Sequence, residues 1–412
     1  MNHLATRPIE RLRAERGSIK WRRYAPDVLP LFVAEMDFEP STAVVDAVSR
    51  ALAAGDTGYL DGPGPLAPAF AEFADRSWGW RVDADHVHLA TDVTVGIVET
   101  LRLLVPPVGG RVVLTPPVYA PFYEMVGEVY ATPVEVPLLE ASDWMLDMAG
   151  IEQAFAEGAD AFLLCNPQNP TGRCHSRASL QALAELAARY DVPVVSDEVH
   201  APLAHSDAAF VPFAPLAADA GARSATVTSA SKAWNLAALK CAWIVPGDAR
   251  TAQRLQRLPE ETAARTSILG LHAAIAAFDD IEWRDAVVDH VTANIDLFRA
   301  ELAEHVPEAR LVTPDAGYLV WLELRGTGLG DDPATVLREE GRVAFNSGPS
   351  FGPGGAGFVR VNVACAPSTI VEAVQRVARV VRAHRPVALA ERAAFRPLSD
   401  RLSPAERPPF AR

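Results

Sequence analysis

The stretch TVTSASKAWNLAALK, from Thr226 to Lys240, decides how the rest of the sequence is interpreted. It begins as an apolar β-type run and continues into small hydroxyl residues, which let a backbone approach a ligand closely and suit phosphate oxygens. Lys232 follows directly. A lysine placed where the chain leaves a sheet can lose its proton through desolvation and attack a carbonyl group. Taken alone, SASK is more often a polar turn with surface lysines, so the remaining sequence has to decide.

The composition limits both the fold and the partners. The 412 residues, 49% of them apolar, are enough for a large and a smaller domain with buried cores. With 38 basic against 52 acidic residues, the net charge of −14 argues against nucleic acid or a membrane surface as a partner. Four cysteines lie far apart without a CxxC pair, so reduced thiols and a cytoplasmic protein are expected. The N-terminal segment does not read as a signal peptide, and no apolar run is long enough to span a bilayer.

From residue 86 onward, apolar strands alternate with amphipathic helices. HVHLATDVTVGIVETLRLLV is interpreted as a strand, a turn and a helix, and the later strands are RVVLTPPVYAPFY, AFLLCNPQNPTG, VPVVSDEVH and ATVTSAS. This pattern predicts an α/β fold in which a mostly parallel sheet lies between helices. In such sheets, ligands bind at the C-terminal ends of the strands. Each of these runs ends in residues with useful chemistry.

The sequence divides into four predicted parts. Residues 1–50 form an N-terminal arm and part of a small domain, and residues 51–282 form the large domain. Residues 283–385 form a smaller α+β C-terminal domain. The tail, residues 386–412, is rich in Arg, Ala and Pro and is expected to be disordered.

Asp197 closes the run VPVVSDEVH, and one strand later come Ser229 and Lys232. A lone aspartate at a strand end is more often a cap for the following turn. A lysine, a carboxylate and an anion cradle, however, are the parts that pyridoxal 5′-phosphate requires. The lysine forms the Schiff base, and the carboxylate keeps the pyridine nitrogen protonated. The sequence therefore predicts a pyridoxal phosphate site, with further residues supplying an aromatic face for the ring and a cation for the substrate carboxylate.

These residues lie in motifs that make the sequence similar to a known family. It resembles the fold-type I pyridoxal-phosphate enzymes with the aminotransferase class I/II fold, and among them the MalY/PatB group of cystathionine β-lyase-like C–S lyases. The resemblance spans residues 17–385, and its motifs are KW, FVAEMDF, GY, PPVYAPF, NPQNPTG, SDEVH, SASKAWNLAAL and SFGPGGAGFVRVNVA. The order NPxNPTG, SDEVH, SxSK is specific to the fold. The spellings AEMDF and SDEVH favour the lyase group over ordinary aminotransferases.

The resemblance implies the catalytic residues Lys232, Asp197 and Tyr119. Lys232 would form the Schiff base and later move the Cα proton, Asp197 would pair with the pyridinium nitrogen, and Tyr119 would stack on the ring. Asn169 and His200 would lie near the phenolic oxygen of the cofactor, although a lone histidine is as often structural.

The resemblance also implies ligands for the two anionic groups. Arg360 in GFVRVN would bind the substrate α-carboxylate with a bidentate fork. Tyr59 would reach the phosphate of the neighbouring subunit, which predicts a homodimer with shared active sites. The remaining predicted phosphate ligands are Val93, Thr94, Ser229, Ser231 and Lys240, the last at a position where relatives often have arginine. Glu35, where the group usually has Asp, and Ala238, where it commonly has Gly, depart from the pattern.

The predicted function is α,β-elimination on an S-substituted L-cysteine such as L-cystathionine, giving a thiol, pyruvate and ammonia. An aminotransferase acting on an L-amino acid and a 2-oxo acid is the alternative, because the two reactions share their early steps. A non-catalytic regulator is disfavoured, since the short N-terminal arm and the acidic charge leave no room for a DNA-binding module. His86 and His88 alternate on one strand without a third ligand, so no metal is predicted.

Overall fold

The computed structural model describes residues 4–205 and 210–384; the tail predicted to be disordered, 386–412, lies outside the described residues. The strands are β1 (Leu29–Pro30), β2 (His88–Ala90), β3 (Arg111–Leu114), β4 (Thr132–Glu135), β5 (Ala161–Cys165), β6 (Val194–Asp197), β7 (Ser224–Thr228), β8 (Ala242–Pro246), β9 (Arg310–Val312), β10 (Leu319–Glu323), β11 (Val343–Ala344), β12 (Asn346–Ser347) and β13 (Phe358–Asn362). The α-helices are α1 (Ile9–Glu15), α2 (Ile19–Arg22), α3 (Thr42–Ala54), α4 (Leu66–Trp78), α5 (Val93–Leu104), α6 (Pro121–Glu128), α7 (Met148–Ala156), α8 (Arg177–Tyr190), α9 (Phe213–Ala220), α10 (Ala249–Leu255), α11 (Glu260–Ala264), α12 (Ile268–Asp279), α13 (Ile281–His305), α14 (Pro333–Glu339) and α15 (Pro367–His384).

A seven-stranded sheet with the order β2-β8-β7-β6-β5-β3-β4 forms the centre of the first half of the chain. Strands β4, β3, β5, β6 and β7 are parallel to one another, and β8 is antiparallel to both β7 and β2. Every residue of β5, β6 and β7 is buried, because helices cover both faces. The predicted α/β class with a mostly parallel sheet is confirmed.

The strand predicted for RVVLTPPVYAPFY is wrong in its second half. Strand β3 ends at Leu114, and helix α6 begins at Pro121. The pair Pro116-Pro117 has no backbone N–H groups to donate to a sheet, so the strand ends before it. Proline at the first position of a helix loses no hydrogen bond, which explains the start of α6.

The second half of the chain contains a four-stranded antiparallel sheet with the order β12-β13-β10-β9. The long helix α13 leads into it and α15 follows it, and these two helices pack against each other. Strand β1 from the N-terminal arm pairs in parallel with β11, so the arm is anchored to this C-terminal part of the fold. The four-domain division with its boundaries stays a prediction.

Helix start signals in the sequence agree with the structure. Ser41, a residue type favoured at the N-cap, caps α3 by accepting a hydrogen bond from the Val44 N–H. Asp92 caps α5 in the same way through the Val95 N–H. Within residues 4–205 and 210–384, none of the helices combines the length and the apolarity needed to cross a bilayer.

Candidate active site

The candidate site lies at the C-terminal edge of the large sheet. Strands β5, β6 and β7 run side by side in parallel, and their register pairs Cys165 with Asp197 and Asp197 with Val227. The residues that follow these strand ends therefore come together at the same edge. Asn169 follows β5, Asp197 ends β6, and Lys232 follows β7.

A cavity of about 1060 Å³ opens at this edge. It brings together all but one of the predicted site residues: Val93, Thr94, Tyr119, Asn169, Asp197, His200, Ser229, Ser231, Lys232, Lys240 and Arg360. Tyr59 is the exception, because it does not line the cavity of its own chain and its side chain is 92% exposed. The sequence motifs, which lie far apart in the chain, thus converge on one site.

Lys232 differs from the other two lysines of the sequence. Lys20 is held by Asp37 and the Glu35 carbonyl, and Lys240 donates to Asp92. In the part of the chain that the structure describes, no hydrogen bond or ion pair holds the amine of Lys232. Burial, together with the nearby positive charge of Arg360, lowers the pKa of Lys232 to about 8. A sizeable neutral fraction near neutral pH makes this amine the nucleophile of the site.

Asp197 is the buried carboxylate of the site. Its Oδ1 accepts a hydrogen bond of 3.1 Å from the Val199 N–H. Burial raises the pKa of Asp197 to about 6, against the opposing effects of that hydrogen bond and of Lys232. A carboxylate that is ionised at neutral pH but costly to desolvate favours a cationic partner, such as a protonated ring nitrogen.

The N-terminus of α5 forms the anion-binding end of the cavity. Val93 and Thr94 are the first residues of the helix, where backbone N–H groups point outward without intrahelical partners. Lys240 adds a positive charge and is fixed there by a 2.7 Å contact of its Nζ with Asp92 Oδ2. Ser229 donates its hydroxyl hydrogen to the Cys241 carbonyl and accepts from the Ser231 N–H, so its single proton is already engaged. Its predicted role as a phosphate ligand stays a prediction.

Arg360 supplies the buried cation. Its Nη1 donates to Asn169 Oδ1 at 2.9 Å and its Nη2 to the Phe32 carbonyl at 3.3 Å, while the guanidinium lies over the Phe351 ring. Its Nε is buried without a hydrogen-bond partner among the described residues. Burial lowers the pKa of Arg360 to about 10, which leaves it charged at neutral pH. An unsatisfied buried donor on a cation calls for an anionic ligand.

Tyr119 and His200 contribute neutral rings to the cavity wall. Burial raises the pKa of Tyr119, so its hydroxyl keeps its proton. Burial also lowers the pKa of His200 to about 3, helped by the charges of Lys232 and Arg360, so its imidazole is uncharged at neutral pH. The ring of His200 meets Tyr318 edge to face at 6.4 Å. The cofactor contacts expected of Tyr119 and His200 stay predictions.

Cys165 also lines the cavity, as its place before NPQNP suggests, but its thiol is not activated. It is buried, and burial raises its pKa well above the ordinary value. This is the property of a structural cysteine rather than of a nucleophile.

Sequence reasoning recognised the opposite wall of the cavity only as the motif FVAEMDF and missed the contacts that hold this wall in place. Residues 32–35 of the motif FVAEMDF line it, and Asn235 fixes the following residue, Met36, through both its N–H and its carbonyl. Arg16 donates to the carbonyls of Met36 and Phe38. The motif SASKAWNLAAL contains Asn235, but sequence spacing gives no sign of a contact with residue 36.

The residues present fit pyridoxal 5′-phosphate. The cavity offers an unpaired amine, a buried carboxylate, free helix N–H groups beside a lysine, and an arginine with an unsatisfied Nε. These are the partners for an aldehyde, a ring nitrogen, a phosphate and a substrate carboxylate.

Comparisons with known proteins agree with this chemistry. The family model for aminotransferase class I and II matches residues 26–377. A Mycobacterium leprae protein assigned as a cystathionine beta-lyase is 39% identical, over 92% of this chain and 99% of its own. The cystathionine beta-lyase of Corynebacterium glutamicum is 34% identical, over 89% and 97% of the two chains. A crystal structure from Corynebacterium diphtheriae, described as a PLP-dependent beta-cystathionase, superposes with a TM-score of 0.86 at 33% identity and covers 92% of this chain and 99% of its own.

Proposed function

The chain belongs to the aminotransferase class I and II family, and from that premise we propose that it is a pyridoxal-phosphate-dependent C–S lyase. It breaks the Cβ–S bond of S-substituted L-cysteines. L-Cystathionine and water give L-homocysteine, pyruvate and ammonia. The single observation that carries the proposal is the unpaired amine of Lys232, with its lowered pKa, in one cavity with Asp197 and the partly free Arg360. The resemblance predicted from the sequence motifs is confirmed by relatives that bear the lyase name.

Pyridoxal phosphate, when bound, supplies the electron sink that stabilises negative charge at the substrate Cα. Lys232 would hold the aldehyde of the cofactor in the resting enzyme, and its freed amine would then accept the Cα proton. Its lowered pKa suits this second task, because an amine that is partly neutral near pH 8 can act as a base. Asp197 would hold the ring nitrogen, where a buried carboxylate stabilises positive charge.

Arg360 would orient the amino acid by binding its α-carboxylate. Two of its nitrogens already donate to Asn169 and Phe32, so the guanidinium plane is fixed before the substrate arrives. Its unpaired Nε can then donate to a carboxylate oxygen without reorganisation.

The decisive experiment incubates the purified holoenzyme with L-cystathionine in the absence of any 2-oxo acid. Pyruvate and free thiol appearing in equal amounts over many turnovers support the lyase. The aminotransferase alternative predicts a single turnover at most without an acceptor, and sustained activity once a 2-oxo acid is added. A strict requirement for the 2-oxo acid would overturn the lyase proposal.

The proposal includes a homodimer with shared active sites. Tyr59 lies in the loop before α4, is almost fully exposed and does not reach the cavity of its own chain, as expected of a residue that serves a neighbour. Mixing inactive Tyr59→Ala and Lys232→Ala proteins tests this. In a shared-site dimer, each hybrid regains one site with both residues intact, so activity returns on mixing. A monomeric mass by light scattering, or no recovery, contradicts this part of the proposal.

We also place the enzyme in the cytoplasm. Cys165, Cys174, Cys241 and Cys365 are all free thiols, which suits a reducing compartment. Cell fractionation with an antibody against the native protein would test this, and recovery outside the cytoplasm would contradict it.

A further inference from the structure

Three arginines line the cavity, and they differ in what already binds them. Arg360 serves the α-carboxylate end described above. Arg16 is engaged: it donates to the carbonyls of Met36 at 2.6 Å and Phe38 at 2.9 Å. The side chain of Arg23, the third, makes neither a hydrogen bond nor an ion pair within residues 4–205 and 210–384. A cavity arginine without a protein anion has a full set of donors available for a ligand.

Phe32 connects the free arginine to the buried one. The Phe32 carbonyl accepts from Arg360 Nη2, and the Phe32 ring lies 5.8 Å from the Arg23 guanidinium carbon. Arg23 and Arg360 therefore sit against the two ends of one buried residue. A substrate whose α-carboxylate is bound by Arg360 can extend past Phe32 toward Arg23.

Glu35 supplies a negative charge in the same part of the cavity. Its backbone is fixed because its carbonyl accepts from Lys20 Nζ at 2.9 Å and from Asn362 Nδ2 at 2.7 Å. Its side chain is half-buried, and among the described residues its carboxylate has only a long contact, 3.7 Å, with Arg16 Nη1. The carboxylate thus keeps acceptor capacity for a second cation.

We propose that Arg23 and Glu35 form a distal subsite for the charged end of the S-substituent. Arg23 binds a distal carboxylate, and Glu35 binds a distal ammonium group. The inference rests on the lyase function and narrows its substrates to cysteine conjugates whose S-substituent carries such groups, with an amino-acid terminus satisfying both. Charge-assisted hydrogen bonds of this kind distinguish a charged substituent from an alkyl group of similar length.

Four substrates separate the two contacts. L-Cystathionine carries both distal charges, S-(2-carboxyethyl)-L-cysteine only the carboxylate, S-(2-aminoethyl)-L-cysteine only the ammonium, and S-ethyl-L-cysteine neither. The variants are Arg23→Gln and Glu35→Gln. Arg22→Gln is the matched control, because Arg22 is the adjacent exposed arginine and does not line the cavity.

Arg23→Gln is expected to raise the KM of the two carboxylate-bearing substrates about tenfold or more, with kcat changed less than twofold. The KM of the S-aminoethyl and S-ethyl substrates should stay within twofold of wild type. Glu35→Gln should instead raise the KM of the two ammonium-bearing substrates. Arg23→Lys should keep part of the preference for carboxylate-bearing substrates. Equal KM changes for all four substrates in Arg23→Gln, or none, would overturn the subsite.

A binding measurement separates recognition from turnover. In the Lys232→Ala background, which cannot complete the reaction, adding Arg23→Gln should raise the calorimetric Kd of L-cystathionine about tenfold. An unchanged Kd contradicts the subsite. If the wild-type enzyme releases thiol from all four conjugates, and Arg23→Gln does not change their KM values relative to one another, only the subsite proposal fails. If it releases thiol from none, the proposed function fails and the subsite with it.

Discussion

The two walls of the cavity are built in different ways. The sheet-edge wall carries Asp197 at the end of β6 and Lys232 in the turn that follows β7, so the parallel strands position them. The opposite wall, residues 32–38, belongs to no long strand or helix. It is held by side chains that bind its backbone: Lys20, Asn235 and Asn362. One wall supplies the reacting groups and the other supplies the shape of the cavity. Mutations in the first should therefore lower turnover, whereas mutations that release the second should lower stability.

The largest effect is expected at the sheet-edge wall. Lys232→Ala removes the nucleophile and base, so kcat should fall by about 10⁴-fold or more with little loss of stability. Steady-state thiol release measures this, and borohydride reduction of the wild-type holoenzyme should label the peptide containing SASK. Lys240→Ala, which removes a charge at the anion-binding end but leaves the reacting amine in place, should cost far less turnover. Label on the Lys20 or Lys240 peptide would refute the assignment.

Lys20→Met should damage the opposite wall through stability rather than chemistry. Lys20 and Asp37 are 1% and 4% exposed and pair at 2.5 Å, so the variant leaves a buried carboxylate without its cation. The expected cost is about 3–5 kcal/mol in the free energy of unfolding, measured by urea denaturation of the apoprotein.

The double variant Lys20→Met/Asp37→Leu tests the cause of that loss. Replacing both partners by apolar side chains removes the unpaired charge, so most of the stability should return. A single variant as stable as wild type would show that the pair does not hold this wall.

Arg360→Lys probes the place where the two walls meet. A lysine keeps the charge but loses the planar fork that contacts Asn169 and Phe32 together. We expect kcat/KM to fall about 10–100-fold, mainly through KM, for every cysteine conjugate. Arg325→Lys is the matched control, because Arg325 is half-exposed, outside the cavity, and paired with Glu323. A loss confined to kcat would argue against carboxylate binding.

Glu198 adjoins Asp197 and gives the smallest predicted effect. Burial raises the pKa of Glu198 to about 8; its Oε1 accepts from Ser196 and Phe213, and its Oε2 has no partner among the described residues. The folded state thus holds a proton that the unfolded chain releases above about pH 4.5, so wild-type stability falls as pH rises toward 8.

Glu198→Gln removes this titration while keeping an acceptor for Ser196 and Phe213. Between pH 6 and pH 8, the free energy of unfolding of the variant should rise by about 1–2 kcal/mol relative to that of wild type, as measured by denaturant unfolding across pH. If the difference in the free energy of unfolding between wild type and Glu198→Gln does not change with pH, the proposed titration of Glu198 is contradicted.

The sequence predicted the sheet-edge wall well, because residue type and strand order determine it. A carboxylate ending β6 and a lysine following β7 must meet once the strands are parallel neighbours. The opposite wall was recognised only as the motif FVAEMDF. Its contacts with Asn235 and Asn362 join residues nearly 200 or more positions apart through side chain–backbone hydrogen bonds, which leave no periodic pattern in a sequence. The prediction that β3 continues through PPVYAPF is wrong for a local reason, because the paired prolines cannot donate backbone hydrogen bonds to a sheet.

The pairing of β1 with β11 has a consequence for how the protein is made. Strand β1 leaves the ribosome early, whereas its partner Val343–Ala344 lies near the opposite end of the chain. A chain synthesised beyond β8 can already fold the lysine-bearing sheet, but the apolar segment from Leu29 to Phe32 has no β11 to pair with until residues 343–344 are made. The nascent protein therefore keeps this apolar segment unpaired until β11 has been synthesised, and a chaperone or early cofactor binding would protect it during that period.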